Sequence, residues 1–148
     1  MTQIPLRGNP DVGFAFLNKP TPDQVRQIIY LYRREKWWSD GDDNPDLVAR
    51  IVSGSHCFIV AVLDDKIIGM GRSISDGASD AYIQDVAVKE KYRGLGIGSK
   101  IIEALLHRLH SDGLGWVGLI AERGSHEFYS RLGFKPMPES VPMLKIKA

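Results

Sequence analysis

The segment Val86-Ala87-Val88-Lys89-Glu90-Lys91-Tyr92-Arg93-Gly94-Leu95-Gly96-Ile97-Gly98-Ser99-Lys100 constrains this chain more than any other. Its three alternating glycines stand where a short apolar strand pattern gives way to a helical one, carried onward by Ile101, Ile102, Leu105, Leu106 and Leu109. Glycines at such a junction leave no Cβ in the way, so backbone N–H groups can converge on a phosphate. The helix dipole adds roughly half a positive charge at the same end. Lys89, Lys91, Arg93 and Lys100 raise the potential locally. The chain as a whole is nearly neutral, with 19 Lys and Arg against 18 Asp and Glu. It therefore lacks the broad positive field of a protein that coats nucleic acid or anionic lipid, and any anion site has to be local. A polyanion such as a pyrophosphate suits it. A tight turn beside solvated lysines is the alternative reading of the glycines alone.

Spacing separates the phosphate ligands. A P-loop places Lys-Ser/Thr directly after its last glycine, whereas Gly98 is followed by Ser99-Lys100. A dinucleotide fingerprint reads Gly-x-Gly-x-x-Gly within a βαβ unit; here the run is Gly-x-Gly-x-Gly and follows an antiparallel pattern. An unrelated nucleotide-binding domain is remote on both counts.

The 148 residues leave room for one domain, 1–148, at the usual ~150 residues per domain. Val12–Leu17 reads as an edge strand. Thr21-Pro22-Asp23 opens a first helix bearing Val25, Ile28, Ile29 and Tyr32, and Asn44-Pro45 a second that Gly54 ends. Cys57–Leu63 and Lys66–Ile74 flank the turn Asp64-Asp65 as a hairpin, and Ala81–Val88 adds a third antiparallel strand. After the Ile97 helix, Val117–Ala121 is a strand parallel to its predecessor. Ser125 caps a short helix through Leu132, and Met143–Ile146 reads as a final strand. The lone Cys57 forms no internal disulfide, no zinc-spaced Cys/His array exists, and Met1–Pro10 has no apolar leader core. No run approaches the ~18 apolar residues of a membrane span. A reducing, cytoplasmic setting is expected, with no membrane or nucleic-acid partner.

Arg93-x-x-Gly96-x-Gly98 directly after the strand Val86-Ala87-Val88 resembles the pyrophosphate loop of the GCN5-related N-acetyltransferase family, which reads Gln/Arg-x-x-Gly-x-Gly/Ala. Phe128-Tyr129-Ser130-Arg131-Leu132-Gly133-Phe134 resembles the family's later signature, a short helix with tyrosine followed by Leu-Gly-Phe. The element order is similar too. The resemblance spans nearly the whole chain and is most specific over residues 81–134. It implies an α/β (α+β) fold with a mixed, mainly antiparallel twisted sheet of six or seven strands and about four helices, the parallel strands 81–88 and 117–121 splaying apart.

It also implies acetyl-CoA as co-substrate, without a metal, and transfer of the acetyl group to a primary amine by direct attack. By that likeness Arg93, Gly94, Leu95, Gly96, Ile97, Gly98 and Ser99 would hold the pyrophosphate, with Phe128 beside the cofactor. The backbone of Val86, Ala87 and Val88 would pair with the pantetheine arm, the Val86 N–H polarising the thioester carbonyl. No covalent intermediate is then needed, and Cys57 is expected in the core. Tyr129 is the candidate general acid for the departing thiolate, or else packs without transferring a proton. Ile83-Gln84-Asp85-Val86 resembles the Glu-Asp-Val strand of some members with Gln84 in place of the glutamate. Asp85 is the leading candidate base. It equally suits holding a strand bulge, with Glu122 or His126, or water, as other routes for the proton.

Trp37-Trp38, followed by Asp40, Asp42 and Asp43, would line the acceptor pocket, with one tryptophan in the core. A calcium loop is discounted, because Ile51 stands where its twelfth-position glutamate belongs. The expected acceptor is a small amine, with a peptide amine open. A non-catalytic acyl-CoA sensor is the rival class, and Tyr129 argues against it. Family members are often dimers, so a homodimer is among the expectations.

Overall fold

The computed structural model describes residues 2–5, 11–39 and 44–147. Six strands form one sheet whose spatial order follows the chain: β1 (Thr2–Pro5), β2 (Asp11–Leu17), β3 (Cys57–Leu63), β4 (Lys66–Ile74), β5 (Asp80–Val88) and β6 (Trp116–Gly118). All neighbours are antiparallel except β5 and β6. Four α-helices accompany them: α1 (Pro22–Arg34), α2 (Pro45–Gly54), α3 (Ile97–Ser111) and α4 (His126–Ser130).

Local chemistry sets most of these boundaries. Thr21 and Gln24 form a reciprocal capping box at the start of α1, with Pro22 at the first helical position. Asn44 accepts from the Asp46 N–H at the start of α2. Asp64 and Asp65, at φ +49° and +62°, make the two-residue turn whose left-handed residues match the twist of the β3–β4 hairpin. Along β3 successive side chains enter opposite layers, Phe58 and Val60 packing with α1 and α2, Ile59 and Ala61 with α3. A strand covered on both faces reads as an unbroken apolar run, as Cys57–Leu63 does. On β4, glycine allows α3 to lie close: a Cβ at Gly71 would sit 2.8 Å from Ile101 Cγ2 and 3.3 Å from Leu105 Cδ1. This approach fixes the N-terminus of α3, and so the glycine junction, against the sheet.

The structure alters three strand expectations. Asp11–Leu17 is not an edge: β1 pairs with it from Thr2↔Phe14 to Pro5↔Asp11, and β3 lies on its other side. The parallel strand is shorter than 117–121, because β5 and β6 stay paired only from Asp80↔Trp116 to Tyr82↔Gly118 before separating around a cavity. Met143–Ile146 joins no strand, and residues 135–147 contain neither helix nor strand. Pro136, Pro138 and Pro142 remove three backbone donors there.

Candidate active site

The cavity between the separating strands has a volume of about 830 Å³. Its β5 wall is shaped by a bulge: Met70 pairs with Ala87 and Arg72 with Gln84, so Asp85 and Val86 together oppose Gly71. Asp85 takes φ +57°, a costly conformation for a residue with a side chain. Two donors hold it there, the Tyr32 hydroxyl and Arg72 Nε, both at 2.7 Å from Oδ2. Burial first, then the Asp85 carboxylate, push the Tyr32 phenol far above its ordinary range, so it stays a donor. The Arg72 and Asp85 side chains are only 16% and 21% exposed, which makes the pair part of the sheet's interior. Replacing Tyr32 with phenylalanine is expected to lower the unfolding free energy by about 1.5–3 kcal/mol, the range for a hydrogen bond to a charged group. A urea titration checks it.

The glycine junction forms another wall. Gly94 and Gly96 have φ of +79° and +84°, values that a residue with a Cβ resists. Gly96 is the N-cap of α3, and the first intrahelical bond runs from the Lys100 N–H to the Gly96 carbonyl at 3.1 Å. The N–H groups of Ile97, Gly98 and Ser99 therefore have no partner within the helix and stand at its positive end. A Cβ on Gly98 would meet Phe128 Cζ at 3.2 Å, so the aromatic ring lies directly over the turn. Arg93, Gly94, Gly96, Ile97, Gly98 and Ser99 line the cavity, and Leu95 does not.

Tyr129 lines the same cavity from α4, between Phe128 and Phe134 with ring centroids 5.0 and 5.8 Å away. Burial, and secondarily the Glu122 carboxylate, raise its phenol above the ordinary 10.0, leaving a neutral proton donor at physiological pH. Val86, Ala87, Val88, Asp85, Gln84 and Glu122 also face the space. Trp37 lines it, while Trp38 stacks on Tyr32 at 4.1 Å and 7° and lies outside the lining. His126 is likewise outside it. Asp40, Asp42 and Asp43 fall outside the described residues. Cys57 is buried on β3 beside Ser73, and burial pushes its thiol pKa up, which disfavours the nucleophilic thiolate. Among the described residues no group of three or more His, Cys, Asp or Glu could hold a metal ion.

Sequence reasoning missed the partners of two carboxylates, Glu35 and Asp85. Glu35, with a side chain 15% exposed, accepts from Arg93 Nη2 at 2.8 Å and Arg123 Nη1 at 3.1 Å, while Arg123 Nη2 also donates to the Glu35 carbonyl at 2.6 Å. The Arg123 guanidinium lies 6.0 Å from the Trp37 ring centroid. These partners lie 58 and 88 positions from Glu35, and no local pattern marks them. The same holds for Tyr32 and Arg72 around Asp85. Together the walls provide backbone donors and a helix terminus for an anion, a neutral phenol as proton source, and an exposed carboxylate at Glu122.

A family model described as "Acetyltransferase (GNAT) family" matches residues 13–134. The Glycine max protein named "Probable acetyltransferase TAP2" is 41% identical over 86% of this chain and 60% of its own length. Another Glycine max protein, "Histone acetyltransferase TAP1", is 41% identical over 51% of this chain and 33% of its own length. The chain thus spans less than two thirds of these curated relatives. A crystal structure from meticillin-resistant Staphylococcus aureus, described as a "Probable Acetyltransferase", superposes with a TM-score of 0.76 at 24% identity, covering 93% of this chain and 99% of that one.

Proposed function

Because the chain belongs to the acetyltransferase (GNAT) family, we propose that it transfers acetyl from acetyl-CoA to the nitrogen of a small primary amine by direct attack. The observation that carries this reading is the single cavity that joins the α3 N-terminal turn to Tyr129 across the Asp85–Val86 bulge. The residues present fit the diphosphate of such a donor. Gly94 and Gly96 leave open space where a Cβ would stand, and the N–H groups of Ile97, Gly98 and Ser99 are free to donate. Bound there, the thioester supplies an electrophilic acetyl carbon.

The chain's own residues do the rest. The backbone of Val86–Val88 aligns the arm, and the bulge turns the Val86 N–H out of the regular ladder, where it serves as an oxyanion donor. Tyr129 holds a proton at its Oη for the departing sulfur. Asp85 keeps the bulge in place through Tyr32 and Arg72. Glu122, exposed in the cavity wall, attracts a cationic amine and takes its proton through water. Trp37 walls the acceptor end. Much of the rate then comes from positioning the amine near the carbonyl. A peptide amine is the second reading, favoured by the histone acetyltransferase name of one relative.

Thiol release from acetyl-CoA with a panel of small amines and lysine peptides tests the proposal. Small amines are expected to give the highest kcat/KM; a preference for peptides selects the second reading, and binding without release with any acceptor selects a sensor. In the same assay Trp37→Ala is expected to raise the acceptor KM by roughly 10-fold with the acetyl-CoA KM unchanged.

A further inference from the structure

Resting on the acetyl-transfer reading above, we propose that the acceptor is a primary amine carrying an acid group, a phosphate or a carboxylate, and that this group seats in a basic cavity beside the acceptor end of the cleft. A second cavity, of about 760 Å³, is lined by the C-terminal end of α1 and the residues that follow β5. Glu35, Val88, Arg93 and Arg123 line both cavities, so the two adjoin. The Arg123 guanidinium in their common wall is the one that lies 6.0 Å from the Trp37 ring centroid.

Charge sets the second cavity apart. Arg34, Lys36, Lys89, Lys91, Arg93 and Arg123 line it against two carboxylates, Glu35 and Glu90. That is an excess of four positive charges in a chain whose formal net charge is +1. Both carboxylates are already engaged, Glu35 by Arg93 and Arg123, Glu90 by Arg34 at 3.5 Å. Among the described residues Lys36, Lys89 and Lys91 have no carboxylate partner. Lys89 lies over the Tyr30 ring at 5.2 Å and Lys91 over the Tyr92 ring at 5.3 Å, contacts that steady an ammonium without cancelling its charge. The negative end of the α1 dipole accounts for Arg34 alone. It does not account for cations that converge from two segments, since Arg34 and Glu90, which meet here, are 56 positions apart. Clustered like charges repel one another, and an anionic group on a ligand relieves that cost. The first cavity supplies the complementary end, where Trp37 and Glu122 favour an ammonium. A diamine or a basic peptide sets its second positive charge against Arg34 and Lys36 and is repelled, whereas an amine with a distal acid group is matched at both ends.

Thiol release from acetyl-CoA is measured with ω-amino acids and aminoalkyl phosphates of two to six carbons, and with the matching alkylamines and diamines. The best acid-bearing amine is expected to exceed its matching alkylamine by at least about 10-fold in kcat/KM, the scale of one charge-assisted contact, with the diamines poorest. Arg34 and Lys36 are exposed, so the double variant R34Q/K36Q is expected to keep a native far-UV circular dichroism spectrum. In it that advantage is expected to vanish through a rise in the acceptor KM, with the acetyl-CoA KM unchanged. Equal kcat/KM for acid-bearing amines and alkylamines, or an advantage that survives R34Q/K36Q, overturns the proposal. A higher acetyl-CoA KM in the double variant also overturns it, because the cations then serve the phosphates of the donor. Calorimetric titration of 3-aminopropyl phosphate into the CoA-loaded protein reads the anion site without catalysis. Binding that R34Q/K36Q weakens about 10-fold, with no thiol release from any amine, would sink the acetyl-transfer reading and keep the anion site; no binding and no release would overturn both.

Discussion

Gly98→Val is expected to reduce acetyl-CoA affinity by at least about 100-fold, roughly 2.7 kcal/mol, as read by isothermal titration calorimetry. The Cβ alone would stand 3.2 Å from Phe128 Cζ and 3.8 Å from Val88 Cγ2, and the two γ-carbons beyond it need still more room beside the turn. Either Phe128 moves or the turn does. Gly98 lacks the left-handed φ of Gly94 and Gly96, so the substitution adds bulk without demanding a forbidden backbone angle. Far-UV circular dichroism is expected to stay native, which separates a filled cradle from a misfolded chain. Full acetyl-CoA affinity in a native Gly98→Val protein would mean that the diphosphate does not rest on this turn.

Tyr129→Phe is expected to lower kcat by about 10²–10⁴-fold, the usual contribution of a positioned general acid. The ring contacts with Phe128 and Phe134 survive the change, so acetyl-CoA binding should move little. The sign of the pH dependence follows from the environment. In the proposed role the phenol must be protonated, and burial with Glu122 nearby raises its pKa, so the basic fall in kcat is expected above the ordinary tyrosine range. In the phenylalanine variant that basic limb should vanish. Unchanged turnover would leave Tyr129 as a packing residue only.

What the sequence discloses and what it hides divides by range. The glycine junction, the Asp64-Asp65 turn and both helix caps depend on residues within four positions of one another, and their chemistry is written in the local string. β1 escaped notice because Thr2–Pro5 has only four residues, one a proline, and its strand character comes from pairing with β2. Met143–Ile146 misled in the opposite sense, since alternation without a neighbour makes no strand. At the site, the glycine junction stood out by its spacing and Tyr129 only through the family resemblance; the fold brings both to one cavity, apart from Leu95. The roles around Asp85 were not, because Tyr32 is 53 positions away and only the folded sheet brings its hydroxyl to the carboxylate. Glu35 was hidden for the same reason. Trp37 and Trp38, adjacent in sequence, go to different surroundings because Trp38 stacks on Tyr32 while Trp37 turns to the cavity.

Strand order that follows chain order has a kinetic corollary. Each antiparallel neighbour from β3 to β5 is reached across a short connection, whereas β6 meets β5 only after residues 89–115 have been laid over the sheet. Loop-closure entropy grows with that interval, so the meander can zip up from nearby contacts while the parallel pairing waits for α3 to dock. The cleft is thus among the later parts of the molecule to acquire its shape.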